Sequence, residues 1–368
     1  MTPQGSTAGA AAAVGGSDDG NLNGAGGATS SVGGSDVATA SGGSAQVASG
    51  GTTQAATGGT TQASGGSAPA TGGTPATGGT AGSSTGGSAP ATGGSSTSTG
   101  GQSQSVDDCP PAPADASAAA VEALSIVNEL RVAAGAGCAT MVSALNLASQ
   151  NHCDYYATNT GDCVASPHNE VESCTGFTGT TPGARMSAAG YDGRGGTEVM
   201  AFGNDPQRAI DMWVNSVWHR VPILSPWITE FGYGGADGCD TMDLGQGTPM
   251  PADTVVLYPY TGQIDVPATF HGDREGPEPP MPASGWPSGS PITVYAQDLA
   301  VTEHLLTLAS DDTPIEHVWI TPADSNLLSD AIMMYANLPL ESQTTYRVRI
   351  TGTYIGGDLV LDWTFTTE

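Results

Sequence analysis

Four side chains in the middle of the chain have the chemistry to hold an ion or move a proton. His168 sits in the stretch SPHNE, Glu198 follows a glycine-rich turn in GRGGTEVMAF, and Ser216 and His219 lie in MWVNSVWHR. Neutral imidazoles and a carboxylate that converge in a cleft can bind Zn²⁺ or another divalent cation, and the bound water then becomes a nucleophile near neutral pH. Without a metal, a His–Glu pair offers general acid–base catalysis. No nucleophile accompanies it, because the chain has no G-x-S-x-G turn and Ser216 is only a near neighbour of His219. The competing expectation is structural: the same groups, with Arg185, form a hydrogen-bonded network that fixes a loop to a helix, since buried polar groups must be paired.

Six cysteines, Cys109, Cys138, Cys153, Cys163, Cys174 and Cys239, fall within one unit. An even count so confined predicts up to three disulfides and an oxidising compartment, with 15 connectivities open. A metal set of His152, Cys153 and Cys163 is the alternative, but it lacks the paired C-x-x-C spacing of zinc sites. Asp19, Asn21, Asn23 and Gly24 imitate the start of a calcium loop. The twelfth position is Ser30 rather than the Glu that closes the cage, so that match is discarded.

The elements that must carry these residues occupy only part of the 368-residue chain. Residues 1–108 are almost entirely Gly, Ser, Thr and Ala, with near-copies such as GGTTQA and GGSAPATGG. Such a tract has no apolar periodicity with which to offset its ordering entropy and reads as a disordered low-complexity linker. The net charge is −28, all basic residues are arginine, and the linker contains none of them. A field of that sign repels phosphate backbones and anionic lipid, which excludes nucleic acid as a partner. No run of about 18 apolar residues can span a bilayer. Met1 is followed by no basic stretch, and Ala8–Val14 is too short for a signal h-region. Export therefore calls for a leader, of secretory or lipoprotein-anchoring type, that has been removed or lies before a misassigned start.

Helical spacing begins after Ser117, a good N-cap, with Val121, Leu124, Val127, Asn128 and Arg131, and stops at Gly135 and Gly137. A second helix is expected over about Met141–Tyr156 and a short one at Pro182–Ala189, with proline in its first turn. A further helix, capped by Asn204 or Asp205, runs through MWVNSVWHR. It puts Ile210, Trp213, Val214 and Val217 on one stripe and Ser216 and His219 opposite. TEFGYGG, CDTMDLG and TVVLYPY read as strands, which makes this unit α+β. From about Gly262 the period is two: PITVYAQ, EHVWIT, TTYRVRI and LVLDWTF predict a small β-sandwich.

Three pieces occur in order: a loop histidine after the second helix, a Gly-Thr-Glu turn, and W-x-x-S-x-x-H-R followed by proline and Ile-Leu. Together with N-x-x-R-x-x-x-G (Asn128–Gly135) and ARMSAAGY (Ala184–Tyr191), the chain resembles the CAP superfamily, most of all its bacterial members. The superfamily comprises the cysteine-rich secretory, antigen 5 and pathogenesis-related proteins. The resemblance implies an α-β-α sandwich over residues 109–262 with a cleft that holds zinc or another divalent cation in some members. His168, Glu198 and His219 match cleft positions, and Arg185 matches a supporting arginine. The family's G-E-N turn is Thr197-Glu198-Val199 here, and Ser216 stands where many eukaryotic members have a second glutamate. Residues 263–368 resemble a bacterial Ig-like β-sandwich, and FHGDREGPEPP resembles the junction found after CAP domains.

The functional expectation is an extracellular or cell-surface binding module for a lipid, glycan or protein ligand. The alternative is a metal-assisted hydrolase of peptides or esters that uses the same cleft.

Overall fold

The computed structural model describes residues 104–203 and 205–368. The linker expectation over residues 1–103, and Asn204 as a helix cap, lie outside the described residues. Residues 105–109 at the end of the expected linker form a capped turn: Ser105 and Asp108 bond each other's backbone amides around Val106–Asp108.

The first layered unit contains α1 (Ala118–Ala134), β1 (Thr140–Met141), α2 (Ser143–Thr158), α3 (Pro182–Ala188), β2 (Arg194–Ala201), α4 (Pro206–Val214), α5 (Arg220–Leu224), β3 (Glu230–Ala236) and β4 (Cys239–Gln246). Ser117 accepts the Ala120 amide at the start of α1, and Gly135 ends the helix at φ 88°. The Asn-x-x-Arg spacing turns both side chains inward. Asn128 exchanges hydrogen bonds with the backbone of Ala139 at 3.1 and 2.8 Å. Arg131 donates to the carbonyls of Ala136, Gly137, Ile223 and Ser225, tying α1 to the C-terminal end of α5. Burial lowers its pKa to about 10.

The four strands are ordered β1-β3-β4-β2, with β1 parallel to β3 and the other pairs antiparallel. Thr140 and Met141 pair with Glu230 and Phe231, so α2 begins at Ser143, two residues later than its periodicity predicts. Alternation along the strands divides the two faces. Phe231, Tyr233, Met242, Leu244, Val199 and Ala201 meet α1 and α4 in an apolar core that includes Trp213 and Ile210. The opposite face of β3 carries Gly232 and Gly234, on which α2 lies. A Cβ added there would stand 2.1 Å from the Asn146 amide and 2.2 Å from the Gln150 amide. Glu198 and Asp243 are cross-strand partners on this second face, and Ser149 of α2 bonds Asp243.

The helix expected to carry MWVNSVWHR stops at Val214. Asn215 and Ser216 end it as short polar residues do, by competing for backbone hydrogen bonds: Ser216 Oγ donates to the Trp213 carbonyl and accepts the His219 amide. His219 is the residue before α5.

The remaining strands are β5 (Val256–Tyr258), β6 (Ile292–Tyr295), β7 (Ala300–Leu308), β8 (His317–Ile320), β9 (Ala331–Ala336), β10 (Thr345–Tyr354) and β11 (Gly357–Thr366). They form two antiparallel sheets, β5-β6-β9-β8 and β11-β10-β7. A core that includes Ile292, Val294, Leu306, Ile332, Val348, Ile350, Trp363 and Phe365 lies between them. Tyr346, Val348 and Ile350 point inward, while Arg347 pairs with Asp362 and Arg349 with Asp312 on the outer face. TVVLYPY supplies β5, which pairs with β6 rather than with the first sheet.

The first apolar core continues through Tyr258, Tyr295, Ile320 and Tyr335 of these strands. Arg220 crosses the junction, donating to Thr293 Oγ1 at 3.1 Å and lying 4.5 Å from the Tyr258 ring centroid, while Tyr295 donates to the Val221 carbonyl. The cysteines pair as Cys109–Cys138, Cys153–Cys239 and Cys163–Cys174.

Candidate functional site

The buried second face of the first sheet gathers most of the charge that the sequence singles out. Glu198 projects from β2 toward α3 and the loop after α2. His168 donates from Nδ1 to Glu198 Oε1 at 2.8 Å, and Arg185 of α3 bonds Glu198 Oε2. Arg185 also donates to the His168 carbonyl at 3.0 Å and lies 3.7 Å from Glu170. One guanidinium thus spans loop, helix and strand. Thr181 caps α3 and Pro182 starts it, which sets Arg185 one turn into the helix.

Glu170 and His152 complete the cluster, and sequence reasoning did not assign either to the cleft. The two ring nitrogens of His152 face Glu170 Oε1 and the Pro167 carbonyl, each at 2.9 Å. Glu170 also accepts the Thr178 amide at 2.7 Å. Tyr155 and Tyr156 donate to the carbonyls of Cys163 and Ser166, so the 163–170 loop is pinned along α2. Side chains of His152, Glu170, Arg185 and Glu198 are fully enclosed, whereas His168 is 42% exposed. SPHNE holds both His168 and Glu170, and the usable signal for their support was this acid two residues after the histidine together with His152 on the preceding helix.

Electrostatics follow from this enclosure. Burial pushes the Glu198 carboxyl up, but the His168 hydrogen bond and the charge of Arg185 outweigh it and hold the group below the usual carboxylate range. Glu170 is likewise held down, against its burial, by the His152 and Thr178 bonds and by Arg185. Asp243 moves the other way: burial and the charge of Glu198 across the strand pair push it well above its ordinary value. Asp243 is thus the one carboxyl of this face whose surroundings disfavour its charged form. Burial and the Glu198 charge also raise the Tyr156 phenol to about 12.

His219 belongs to a different group of contacts. Its Nδ1 is 3.0 Å from Ser216 Oγ and 3.2 Å from Glu275 Oε1. Glu275, from the FHGDREGPEPP stretch, also accepts the amides of Val217 and Trp218 at 2.9 and 2.6 Å. These are the amides released where the expected helix breaks. Trp218 Nε1 donates to the Pro277 carbonyl at 2.6 Å. Ser216, His219 and Glu275 superficially resemble a Ser-His-acid triad. Both partners meet the same nitrogen, however, whereas a proton relay needs the acid on one nitrogen and the serine on the other.

Both Glu198 oxygens are engaged by His168 and Arg185, and Nδ1 of His168 and of His219 each faces a carboxylate, so an ion bound here would have to use Nε2 of each ring. Among the described residues, no group of three or more His, Cys, Asp and Glu is placed to hold a metal. The alternative set of His152, Cys153 and Cys163 is overturned, because both cysteines are in disulfides and neither is a thiolate.

The sequence model of the cysteine-rich secretory protein family, CAP, matches residues 124–247. A search of curated proteins finds no match. Among solved structures, the chain is similar to an outer surface protein from Borrelia burgdorferi at 20% identity, over 34% of this chain and 90% of that one, with a TM-score of 0.26. The matched residues begin in α1 and end just after β4, and so take in the α-β-α layers and the His168–Glu198–Arg185 cluster. Residues 124–247 of this chain are a CAP domain of the cysteine-rich secretory protein family.

Proposed function

We propose that the protein is an extracellular or cell-surface interaction module. In this reading the His168 cleft face receives a lipid, glycan or protein ligand, and the C-terminal sheets form an Ig-like sandwich that carries or extends that face. One observation supports it above the others: Glu198, the only cleft carboxylate matched to the family, has both oxygens bonded within the protein, to His168 and Arg185. A carboxylate so engaged is a support for His168 rather than a free base. What it presents outward is the Nε2 edge of one imidazole. Pairing of all six cysteines agrees with an oxidising, extracellular setting.

The experiment compares wild type with His168→Ala and Glu198→Gln on glycan arrays and on neutral lipid vesicles, alongside hydrolysis of chromogenic esters and peptides with and without added Zn²⁺. Binding that weakens in His168→Ala, with no turnover, is the expected result. Zinc-dependent turnover that Glu198→Gln abolishes would instead establish the alternative, a metal-assisted hydrolase.

A further inference from the structure

Two of the six histidines lie far in sequence from the CAP residues and face each other between the C-terminal sheets. His304 is on β7, the edge strand of one sheet, and His317 is on β8, the edge strand of the other. His304 shares its face of β7 with Leu306, and His317 shares its face of β8 with Trp319. Leu306 and Trp319 both pack in the core between the sheets. The histidines therefore project into the open edge of the sandwich, where both remain part-buried and within reach of solvent.

Nδ1 of His304 and Nε2 of His317 are 2.9 Å apart. His317 Nδ1 is 2.8 Å from the Ile315 carbonyl, which can only accept, so the ring proton sits on Nδ1 and the Nε2 lone pair faces His304. A backbone carbonyl that fixes the far nitrogen in this way is the usual support of a metal-ligating imidazole. His304 is held as well, stacked on Trp319 with ring centroids 3.8 Å apart and planes 5° from parallel.

We propose that His304 and His317 form a two-imidazole site for a divalent transition-metal ion of the Cu²⁺ type, bridging the two sheets. Two nitrogens at about 2.0–2.1 Å from a metal, at the right angle of a square-planar ion, stand about 2.9 Å apart, whereas a tetrahedral ion needs about 3.3 Å. The observed separation matches the first case. Entry of the ion moves the His304 proton from Nδ1 to Nε2: one proton leaves to solvent as another is taken up, so both rings stay neutral. A tilt of each imidazole about its soft terminal torsion aims both lone pairs at one point. Water fills the remaining positions. Cu²⁺ also binds imidazole nitrogen most tightly among the common divalent ions, and the strongly negative chain attracts cations.

The test dialyses the full chain against Cu²⁺ with glycine as a weak competitor, and follows bound metal and tryptophan fluorescence. Wild type should retain one equivalent that His168→Ala also retains and that His304→Gln and His317→Gln each weaken by at least about tenfold. Bound Cu²⁺ should quench Trp319, so Trp319→Phe should lose most of the metal-dependent quenching while keeping the equivalent. Unchanged Cu²⁺ retention in both histidine variants overturns the site, as does loss of the equivalent in His168→Ala. Should either glutamine variant fail to fold, the Trp319→Phe quenching decides: undiminished quenching there overturns the site.

Discussion

Removing the Glu275 carboxylate should destabilise the protein far more than its surface-loop sequence suggests. The group is 3% exposed and accepts the Val217 and Trp218 amides in addition to meeting His219. Hydrogen bonds to a charged group contribute about 1.5–3 kcal/mol each, and a buried amide left without an acceptor costs about 1–3 kcal/mol. The two amides are neighbours and not additive, so Glu275→Ala should cost about 3–5 kcal/mol. Glu275→Gln keeps one acceptor oxygen and should cost about half as much. His219→Ala, removing a side chain that is 28% exposed, should cost about 1 kcal/mol or less. For a domain of this size the alanine variant's loss corresponds to a fall in Tm of about 10 °C.

The pH dependence has a definite sign. Burial alone would raise the Glu275 carboxyl, but the bonds from His219, Trp218 and Val217 hold it below its ordinary value. A depressed acid contributes stability that is full above its unfolded pKa of about 4.3 and is lost as pH falls through the folded value. Urea unfolding of wild type and the three variants at pH 7 and in the acid range reads both effects. A loss below about 0.5 kcal/mol in Glu275→Ala at pH 7 would refute the capping argument. So would an acid-range stability slope shared equally by wild type and Glu275→Gln.

Arg185→Met should cost about 3–5 kcal/mol by urea unfolding, because it leaves Glu198 ionised, enclosed and without its guanidinium. Arg185→Lys should recover only part of this, since an ammonium cannot also reach the His168 carbonyl. Gly234→Ala should be destabilised by about 3 kcal/mol or more, because its Cβ would meet the α2 backbone and not a side chain that can move. Denaturing alkylation without reductant should modify no thiol. Removing the disulfides one at a time by paired Cys→Ser should rank them by loop length: separations of 86, 29 and 11 residues for Cys153–Cys239, Cys109–Cys138 and Cys163–Cys174 give chain-entropy losses of about 4.6, 3.6 and 2.8 kcal/mol.

Much of the CAP unit was legible because its signals are local. Ser117 as a cap, Gly135 as a stop and Pro182 in a first turn depend on neighbours within one helical turn, and each occurs as read. The break after Val214 was not legible. The apolar stripe of Ile210, Trp213, Val214 and Val217 continues smoothly, and the carboxylate that makes a break affordable comes from Glu275, 58 residues from Val217. β9 was missed for another reason. AIMMYA is buried on both faces, so it shows no alternation, and a continuous apolar run carries no period. β1 is two residues long and is a strand only because β3 lies beside it.

The candidate site shows the same division between local and distant causes. His168 and Glu198 could be paired in advance because each stands in a recognisable stretch, and Arg185 because its motif precedes a fixed turn. Which further acids share their layer depends on strand register. Glu198 faces Asp243 only because β2 and β4 pair Val199 with Met242, and a slip of β2 by one residue would turn Glu198 toward the apolar core of Trp213 and leave Asp243 behind. That register sets the charge of the layer. The environment raises Asp243 and lowers Glu170 and Glu198, and it is the latter two that Arg185 contacts. His219 takes its hydrogen bonds from Glu275 and Ser216 and not from this layer. The two histidines that the sequence motifs group together are therefore supported by two separate carboxylates on two separate elements, and only His168 draws its orientation from the buried charge of the CAP sheet.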